Sequence, residues 1–190
     1  MSVYKNILER RTIRRFQPRP VPYKILERCV NAGRMAPSGA NLQPWEFIIV
    51  DDKNKAQNVF PTLAWAGYLE NGAPPKGQEP MAYIVILLNK EIRPRGGHHD
   101  TGMAAQNIML TAHEEGLGSC CIGSVQRNRL RAILNIPETR EIDLVIALGY
   151  PAEKSKAEKA RESIKYWKDD EGILHVPKRC LKDLVHRNSY

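Results

Sequence analysis

An uninterrupted apolar run from Met81 to Leu88 constrains the fold of this chain more than any other feature. The run is far shorter than the roughly 20 residues that a membrane-spanning helix needs. Its bulky aliphatic side chains predict instead a buried strand over residues 82–88. Shorter apolar segments predict further strands at 46–50, 119–122 and 142–148.

Helices are predicted between these strands, at 2–11, 22–33, 53–60, 100–115 and 126–134, with Asp100 as the N-cap of the fourth. Residues 164–167 and 173–176 flank a turn-forming sequence and predict a hairpin, and Pro177 predicts the start of a last short helix. Residues 153–162 mix charges of both signs, which indicates a solvated face. Interleaved strands and helices indicate one mixed α/β or α+β domain over residues 1–190.

The charge balance restricts the partners of the protein. Lysine and arginine number 29 against 21 acidic residues, a formal net charge of +8. This favours nucleic acid, a membrane surface or a phosphate-bearing small molecule. The four cysteines, of which Cys120 and Cys121 are adjacent, fit neither a disulfide framework nor a zinc-binding CxxC pattern. Because Met1–Asn6 lacks the apolar core of a signal peptide, we expect a cytoplasmic protein.

Four arginines lie within six residues at positions 10–15, which also include Thr12. A guanidinium binds phosphate and carbonyl edges bidentately, and a threonine adds a hydroxyl. In an extended segment, residues 10, 12 and 14 share one side. The cluster predicts an anion-binding segment, with a solvated basic turn as the alternative.

Residues 36–45 are dense in Pro, Gly, Asn and Gln and connect a predicted helix to a predicted strand. Such a composition indicates a loop of fixed, special shape. Loops held on a rigid scaffold often carry binding residues. The alternative is an ordinary connection with Trp45 in the core.

Residues 116–124 combine a short apolar strand with glycines at both ends. Glycine allows backbone N–H groups to approach a flat ligand closely. The pattern is not the GxGxxG of a dinucleotide-binding fold. Cys121 is a candidate nucleophile, although a cysteine in an apolar strand is more often inert packing.

Together and in this order, these segments resemble the nitroreductase family of FMN-dependent oxidoreductases. The resemblance covers nearly the whole chain and rests on Arg10-x-Thr12-x-Arg14, APSxxNxQPW at 36–45, DxGxAxQNxxL at 100–110 and GLG at 116–118. It implies an α+β nitroreductase-like fold with a central, mostly antiparallel sheet flanked by helices. It also implies an intertwined homodimer with two FMN sites, each built from both subunits.

The resemblance further implies roles for individual residues. Arg10, Arg11 and Thr12 match contacts to the ribityl-phosphate arm of FMN. Arg14 matches the basic residue beside flavin N1 and O2, where it would act in catalysis by stabilising the charge of the reduced ring. The loop that the partner subunit presents to the cofactor is matched by Pro37, Ser38, Gly39 and Asn41. The segment along one face of the flavin ring is matched by Cys121, Ile122, Gly123 and Ser124. The late basic residues that hold the phosphate are matched by Lys178 and Arg179.

The implied activity is the ping-pong transfer of reducing equivalents from NAD(P)H, through FMN, to nitroaromatic, quinone or similar electron-poor acceptors. Residues 61–80 are the candidate acceptor wall, in which Trp65 and Tyr68 either stack on an aromatic acceptor or serve as core or interface anchors. The alternatives are a specialised relative, such as a reductive dehalogenase or a flavin-fragmenting enzyme, and a flavin-binding protein without turnover.

Metal and nucleic acid are not expected as ligands. Adjacent His98 and His99 diverge, and no third ligand follows at a suitable spacing. No nucleic-acid-binding module and no aromatics interleaved with the arginines are evident. We therefore expect neither nucleic acid nor a membrane as a partner.

Overall fold

A computed structural model describes residues 2–190 of the chain. The helices are α1 (Val3–Glu9), α2 (Tyr23–Gly33), α3 (Lys53–Val59), α4 (His98–Glu114) and α5 (Arg127–Leu134). The strands are β1 (Trp45–Val50), β2 (Ala82–Asn89), β3 (Gly118–Ile122), β4 (Arg140–Gly149), β5 (Ser155–Lys159), β6 (Trp167–Lys168) and β7 (Leu174–Lys178). Short 3-10 turns span Gly39–Asn41, Phe60–Thr62 and Leu181–Asp183.

The main sheet has the order β1-β2-β4-β3, and every pairing in it is antiparallel. All of β2 is buried, which confirms the strand predicted from the apolar run. Successive side chains of a strand point to opposite faces. Accordingly, Tyr83 and Val85 pack into the core on one face, and Ile84 and Ile86 into the core on the other. The predicted α+β class with a central antiparallel sheet is confirmed.

Helix α4 covers the face of the main sheet to which Ile84 and Ile86 point, and it packs closely on α2. A methyl group placed on Gly33 of α2 would lie 2.8 Å from the Ile108 side chain, so the two helices meet where α2 has no side chain. Helix α4 begins after Gly97, not at the predicted N-cap Asp100, which lies in its first turn. The prediction failed because Asp100 is bonded to a distant loop, described below.

A second sheet has the order β5-β7-β6 and differs from two predictions. Residues 155–159, expected in a solvated face, form a strand parallel to β7. Pro177 starts no helix but pairs with Glu158 within β7. A proline fits here because β6 pairs only with Leu174 and His175, which leaves β7 with one neighbour at Pro177, as in an edge strand. The predicted hairpin is confirmed over β6 and β7, although β6 begins only at Trp167.

No helix within residues 2–190 has both the length and the apolar character needed to cross a bilayer.

Candidate functional site

The arginine-rich N-terminal segment runs along the outer edge of β3. Ile13 N donates to Ser119 O at 3.0 Å, and Thr12 forms a parallel bridge with Ser119. Ile13 and Phe16 are buried in the core of the main sheet, which fixes the segment from behind. A methyl group on Gly118 would lie 2.7 Å from Ile13 Cβ, so the close approach depends on this glycine.

Three guanidinium groups of this segment carry an unsatisfied donor. The Nε atoms of Arg10, Arg11 and Arg14 are buried without a hydrogen-bond partner, and within residues 2–190 none of the three side chains forms an ion pair. Burial lowers the pKa of Arg10, and burial together with the neighbouring Arg10 lowers that of Arg11. Clustered, partly buried cations without a counter-charge are costly unless a ligand supplies it.

Arg11 also has a structural contact that the sequence did not indicate. Its guanidinium donates to Ile7 O and Leu8 O at 3.2 and 2.9 Å, and these carbonyls belong to the last turn of α1. Carbonyls at a helix end lack intrahelical donors, so Arg11 completes α1.

The cysteines of β3 lie directly beside the arginines. Cys120 is buried against Arg14, and burial raises its pKa to about 11. Cys121 reaches solvent, yet crowding by protein atoms and the neighbouring Cys120 raise its pKa to about 11. Since the thiolate is the nucleophilic form, neither thiol is activated at neutral pH.

Beyond the cysteines, the end of β3 offers backbone in place of side chains. The Ile122 side chain is buried in the core, whereas Gly123 and Ser124 are exposed. A methyl group on Gly123 would meet nothing closer than Leu144 at 3.8 Å, so this glycine leaves open space above the strand end. The open backbone suits a flat ligand, and the contact of residues 121–124 with a flavin ring stays a prediction.

The loop before β1 is strained and tightly held. Ala40, Asn41 and Gln43 all have positive φ, between 49° and 55°, a region that non-glycine residues seldom adopt. The Ser38 hydroxyl accepts from Gln43 N at 2.9 Å. This fixed shape agrees with the special loop predicted from its composition.

Asp100 ties the same loop to α4. Its carboxylate accepts from Gly39 N at 3.2 Å and from the Arg93 guanidinium at 2.8 Å. Helix α1, which precedes the arginine segment, is attached near the other end of α4, where Asn6 Nδ2 donates to Leu110 O at 3.1 Å. At 1.5 Å per residue, the two attachment points are roughly 15 Å apart along the helix. Within residues 2–190, no hydrogen bond or ion pair joins Pro37, Ser38, Gly39 or Asn41 to the arginine segment.

The predicted acceptor wall lies beside the end of β3. Ala64 N donates to Ser124 O at 3.0 Å, and Leu63 bridges Val125. Trp65 is half-buried against the core of the main sheet, in line with the anchor alternative. Tyr68 is 56% exposed, so of the two candidates only Tyr68 offers most of its ring to a ligand.

Tyr166 belongs to the same surface and was not predicted. Its ring lies 4.9 Å from that of Tyr68 and 4.9 Å from the Arg14 guanidinium carbon. Cation–π contacts of this kind favour a fixed guanidinium orientation. Because Tyr166 comes from the segment before β6, nothing in its sequence neighbourhood indicated a place beside Arg14.

Lys178 and Arg179 lie at the far end of β7. Lys178 O accepts from Ala160 N, and the Arg179 guanidinium donates to Asp183 O at 2.9 Å. The residue of β7 that lies near Arg14 is Leu174, at the opposite end of the strand. The phosphate-binding role of Lys178 and Arg179 stays a prediction.

Within residues 2–190, no group of three or more His, Cys, Asp or Glu side chains could hold a metal ion. His98 instead bonds Asp143 through Nδ1 at 2.8 Å.

Comparison with known proteins identifies the family. The profile of the Nitroreductase family matches residues 7–150. A protein of Methanothermobacter thermautotrophicus that carries the name NADH dehydrogenase/NAD(P)H nitroreductase is 31% identical over 80% of this chain and 79% of that protein. An iodotyrosine deiodinase of Haliscomenobacter hydrossis is 28% identical over 79% of each. The solved FMN-dependent nitroreductase of Clostridium difficile superposes with a TM-score of 0.75 and 27% identity, covering 99% of this chain and 100% of that one.

The fold and the matched residues thus define a flavoenzyme-type α+β scaffold. The chain belongs to the nitroreductase family, as its motifs predicted.

Proposed function

We propose that this protein passes reducing equivalents from NAD(P)H, through bound FMN, to nitroaromatic, quinone or similarly electron-poor acceptors by a ping-pong cycle. The coarser class, an FMN-dependent NAD(P)H oxidoreductase, is confirmed by the family and by relatives named for NAD(P)H and FMN. The ping-pong order, the acceptors and the predicted cytoplasmic location are the proposal.

The observation that carries the proposal is the set of three buried guanidinium Nε donors of Arg10, Arg11 and Arg14 without an acceptor. A phosphate offers several strong acceptor oxygens and negative charge, which such donors bind bidentately. The donor set therefore fits the phosphate arm and the carbonyl edge of FMN. Thr12, at the centre of the segment, adds a hydroxyl.

When bound, FMN supplies the redox chemistry: its ring accepts a hydride and passes reducing equivalents on. Arg14 would hold a positive charge beside the ring of bound FMN and so favour its reduced form. Its contacts with Cys120 and Tyr166 limit the movement of the guanidinium. Neither thiol of β3 serves as a nucleophile, because both remain protonated near pH 7.

A complete site requires a second copy of the chain. The strained loop at 37–41 and helix α1, which leads into the arginine segment, are attached near opposite ends of α4, so we infer that the loop completes the site of a second protomer. Helix α1 exposes Val3, Tyr4 and Leu8, and apolar residues as exposed as these commonly mark an interface. We therefore place the loop of one protomer against the arginine segment of its partner in a homodimer.

Tyr68 and Tyr166 supply the aromatic surface for the acceptor. Both rings lie on the Arg14 side of the strand end, and Tyr68 is mostly exposed. Offset stacking favours planar, electron-poor rings such as nitroaromatics and quinones.

A second candidate function is reductive dehalogenation of an aromatic compound. It is favoured by the 28% identity with a protein named iodotyrosine deiodinase. Under that alternative the same aromatic surface would hold a halogenated ring.

One spectroscopic experiment tests the proposal. The purified protein is incubated with FMN, desalted and reduced anaerobically with NADH or NADPH, and the flavin absorbance is followed as menadione, a nitroaromatic or iodotyrosine is added. We expect bleaching by the nicotinamide and rapid recovery with the first two acceptors. Recovery with iodotyrosine alone would favour dehalogenation, bound flavin that is never bleached would favour storage, and failure to retain FMN would refute the proposal.

A further inference from the structure

Glu153 has a buried carboxylate that contacts the arginine segment and takes no part in the proposed function. Only 4% of its side chain is exposed. One oxygen accepts from Arg14 N at 2.6 Å and from Arg15 N at 3.3 Å, and the other accepts from Lys168 Nζ at 2.8 Å. The sequence had placed Glu153 at the start of a solvated face.

These bonds fill a gap in the backbone pairing of the arginine segment. Ile13 N donates to Ser119 O, and the next such bond is from Phe16 N to Gln78 O. Between them, within residues 2–190, the amides of Arg14 and Arg15 find their acceptor only in Glu153. A buried amide without an acceptor is unfavourable, so the carboxylate fixes the backbone at the residues flanked by Ile13 and Phe16.

The bonds to Glu153 do not involve the Arg14 side chain. Glu153 contacts the main chain of Arg14 and not its guanidinium, while Lys168 offsets the carboxylate charge. The guanidinium can therefore keep its charge for a ligand while its backbone is held.

We propose that Glu153 is a positioning residue for Arg14, which it holds at the flavin edge through the backbone of the segment. The inference rests on the role of Arg14 in the proposed function. Because Lys168 belongs to β6, Glu153 also couples the second sheet to the site.

Electrostatics gives this role a distinctive sign. If Glu153 acted only through its negative charge, its removal would favour the anionic reduced flavin and raise the reduction potential. If it positions Arg14, its removal lets the guanidinium move from the flavin edge and lowers the potential. The two explanations therefore predict shifts in opposite directions.

The test is a redox titration of the FMN-loaded protein with the substitutions Glu153→Asp, Glu153→Ala and Arg14→Ala. Glu153→Asp keeps the negative charge but shortens the side chain by one methylene, so the carboxylate no longer reaches the amides of Arg14 and Arg15 while the net charge stays the same. We expect all three variants to have a lower potential, and the double variant Arg14→Ala/Glu153→Ala to fall no further than Arg14→Ala alone, because one change acts through the other.

Glu153→Gln and Glu158→Gln serve as controls. Glu153→Gln keeps an acceptor oxygen for the amides and should recover most of the potential lost in Glu153→Ala. Glu158 lies in the second sheet and bonds His175 and Trp167, so its substitution should leave the potential unchanged.

Three results would overturn the inference: an unchanged or raised potential in Glu153→Asp, additive shifts in the double variant, or an equal shift in Glu158→Gln. If Glu153→Ala does not retain FMN, Glu153→Asp decides alone. A normal potential in Arg14→Ala would instead remove Arg14 from its proposed role, and this inference with it, which separates the two failures.

Discussion

The two sheets of this protein are stabilised by different kinds of interaction. Each face of the main sheet is covered by an apolar core, and β2, its most apolar strand, is buried along its whole length. In the second sheet, β7 buries only Leu174 and His175, and β5 has no buried residue. Apolar burial is the dominant stabilising effect in the first, whereas polar contacts between side chains organise the second.

His175 is the centre of the second sheet. Its ring nitrogens bond Glu158 and Asp169 at 2.7 and 2.9 Å, and the Trp167 ring stacks on it at 4.0 Å. Hydrogen bonds to Glu158, and then to Asp169, raise the pKa of His175, while His175 lowers the pKa of both carboxyl groups. The second sheet, which includes Lys168 and follows directly after Tyr166, is therefore held by titratable side chains, and we expect it to respond to pH more than the main sheet does.

The largest effect should come from truncation in the main sheet. Ile84→Ala removes a fully buried side chain from the centre of β2 and should lower the free energy of unfolding by about 2–5 kcal/mol. Val176→Ala in β7, which is only partly buried, is the matched variant and should lose far less. Denaturant unfolding of both variants measures the difference, and equal losses would show that the second sheet depends on apolar burial as much as the first.

The next largest effect should be on FMN affinity, for which one arginine of each region is compared. Arg10→Ala removes a guanidinium from the edge of the main sheet and should weaken FMN binding by about 10–100-fold, as expected for loss of a charge-assisted bond of ~1.5–3 kcal/mol. Arg179→Ala, beyond the end of β7, should weaken it as well if the predicted phosphate role holds. Fluorescence titration of the apoprotein with FMN gives both constants, and unchanged affinity in Arg179→Ala would restrict phosphate binding to the N-terminal segment.

A smaller effect, confined to the second sheet, should follow pH. The raised pKa of His175 means that its stabilising charge is fully present below about pH 6.5 and is lost as pH rises through the folded-state pKa. The lowered pKa of Glu158 and Asp169 means that their contribution is present above about pH 4.5 and is lost as pH falls. The second sheet should therefore be most protected between these limits.

Hydrogen exchange measures this directly, with the amides of β2 as an internal control for intrinsic exchange. His175→Gln should abolish the alkaline loss of protection in β7 and leave β2 unchanged. Identical pH dependence in β2 and β7 would contradict the assignment of different physics to the two sheets.

The smallest effect should be that of Cys121→Ser. The thiol is exposed but its pKa is raised to about 11, so the end of β3 contributes backbone and not a nucleophile. Steady-state NAD(P)H oxidation should stay within about twofold of the parent, equivalent to ~0.5 kcal/mol. Complete loss of turnover would assign chemistry to the side chain.

Sequence patterns sufficed for the main sheet because hydrophobic periodicity reports burial. The strands at 46–50, 82–88 and 142–148 were predicted within a few residues of β1, β2 and β4. Strand β5 was missed, since its charged side chains show no apolar face. The N-cap prediction for Asp100 failed because the sequence cannot show that Gly39, distant along the chain, donates to it.

The residues of the candidate site also divide into those that the sequence predicted and those that it did not. Arg10, Thr12 and Arg14 were predicted because their motif is compact, and the structure lays this segment against β3 as an extended chain. Glu153 and Tyr166 were not, because each reaches the site only through tertiary contacts more than 90 residues away along the chain.

The close fit of Ile13 against Gly118 has a consequence for solubility. An uncovered strand at the margin of a sheet offers free amides and carbonyls to any other chain and so promotes aggregation. Here residues 12–13 lie over the margin at Ser119, so the peptide that presents the arginines also blocks β3 from adding a foreign strand. Deleting residues 10–15 should therefore cause the protein to lose its flavin and also to precipitate.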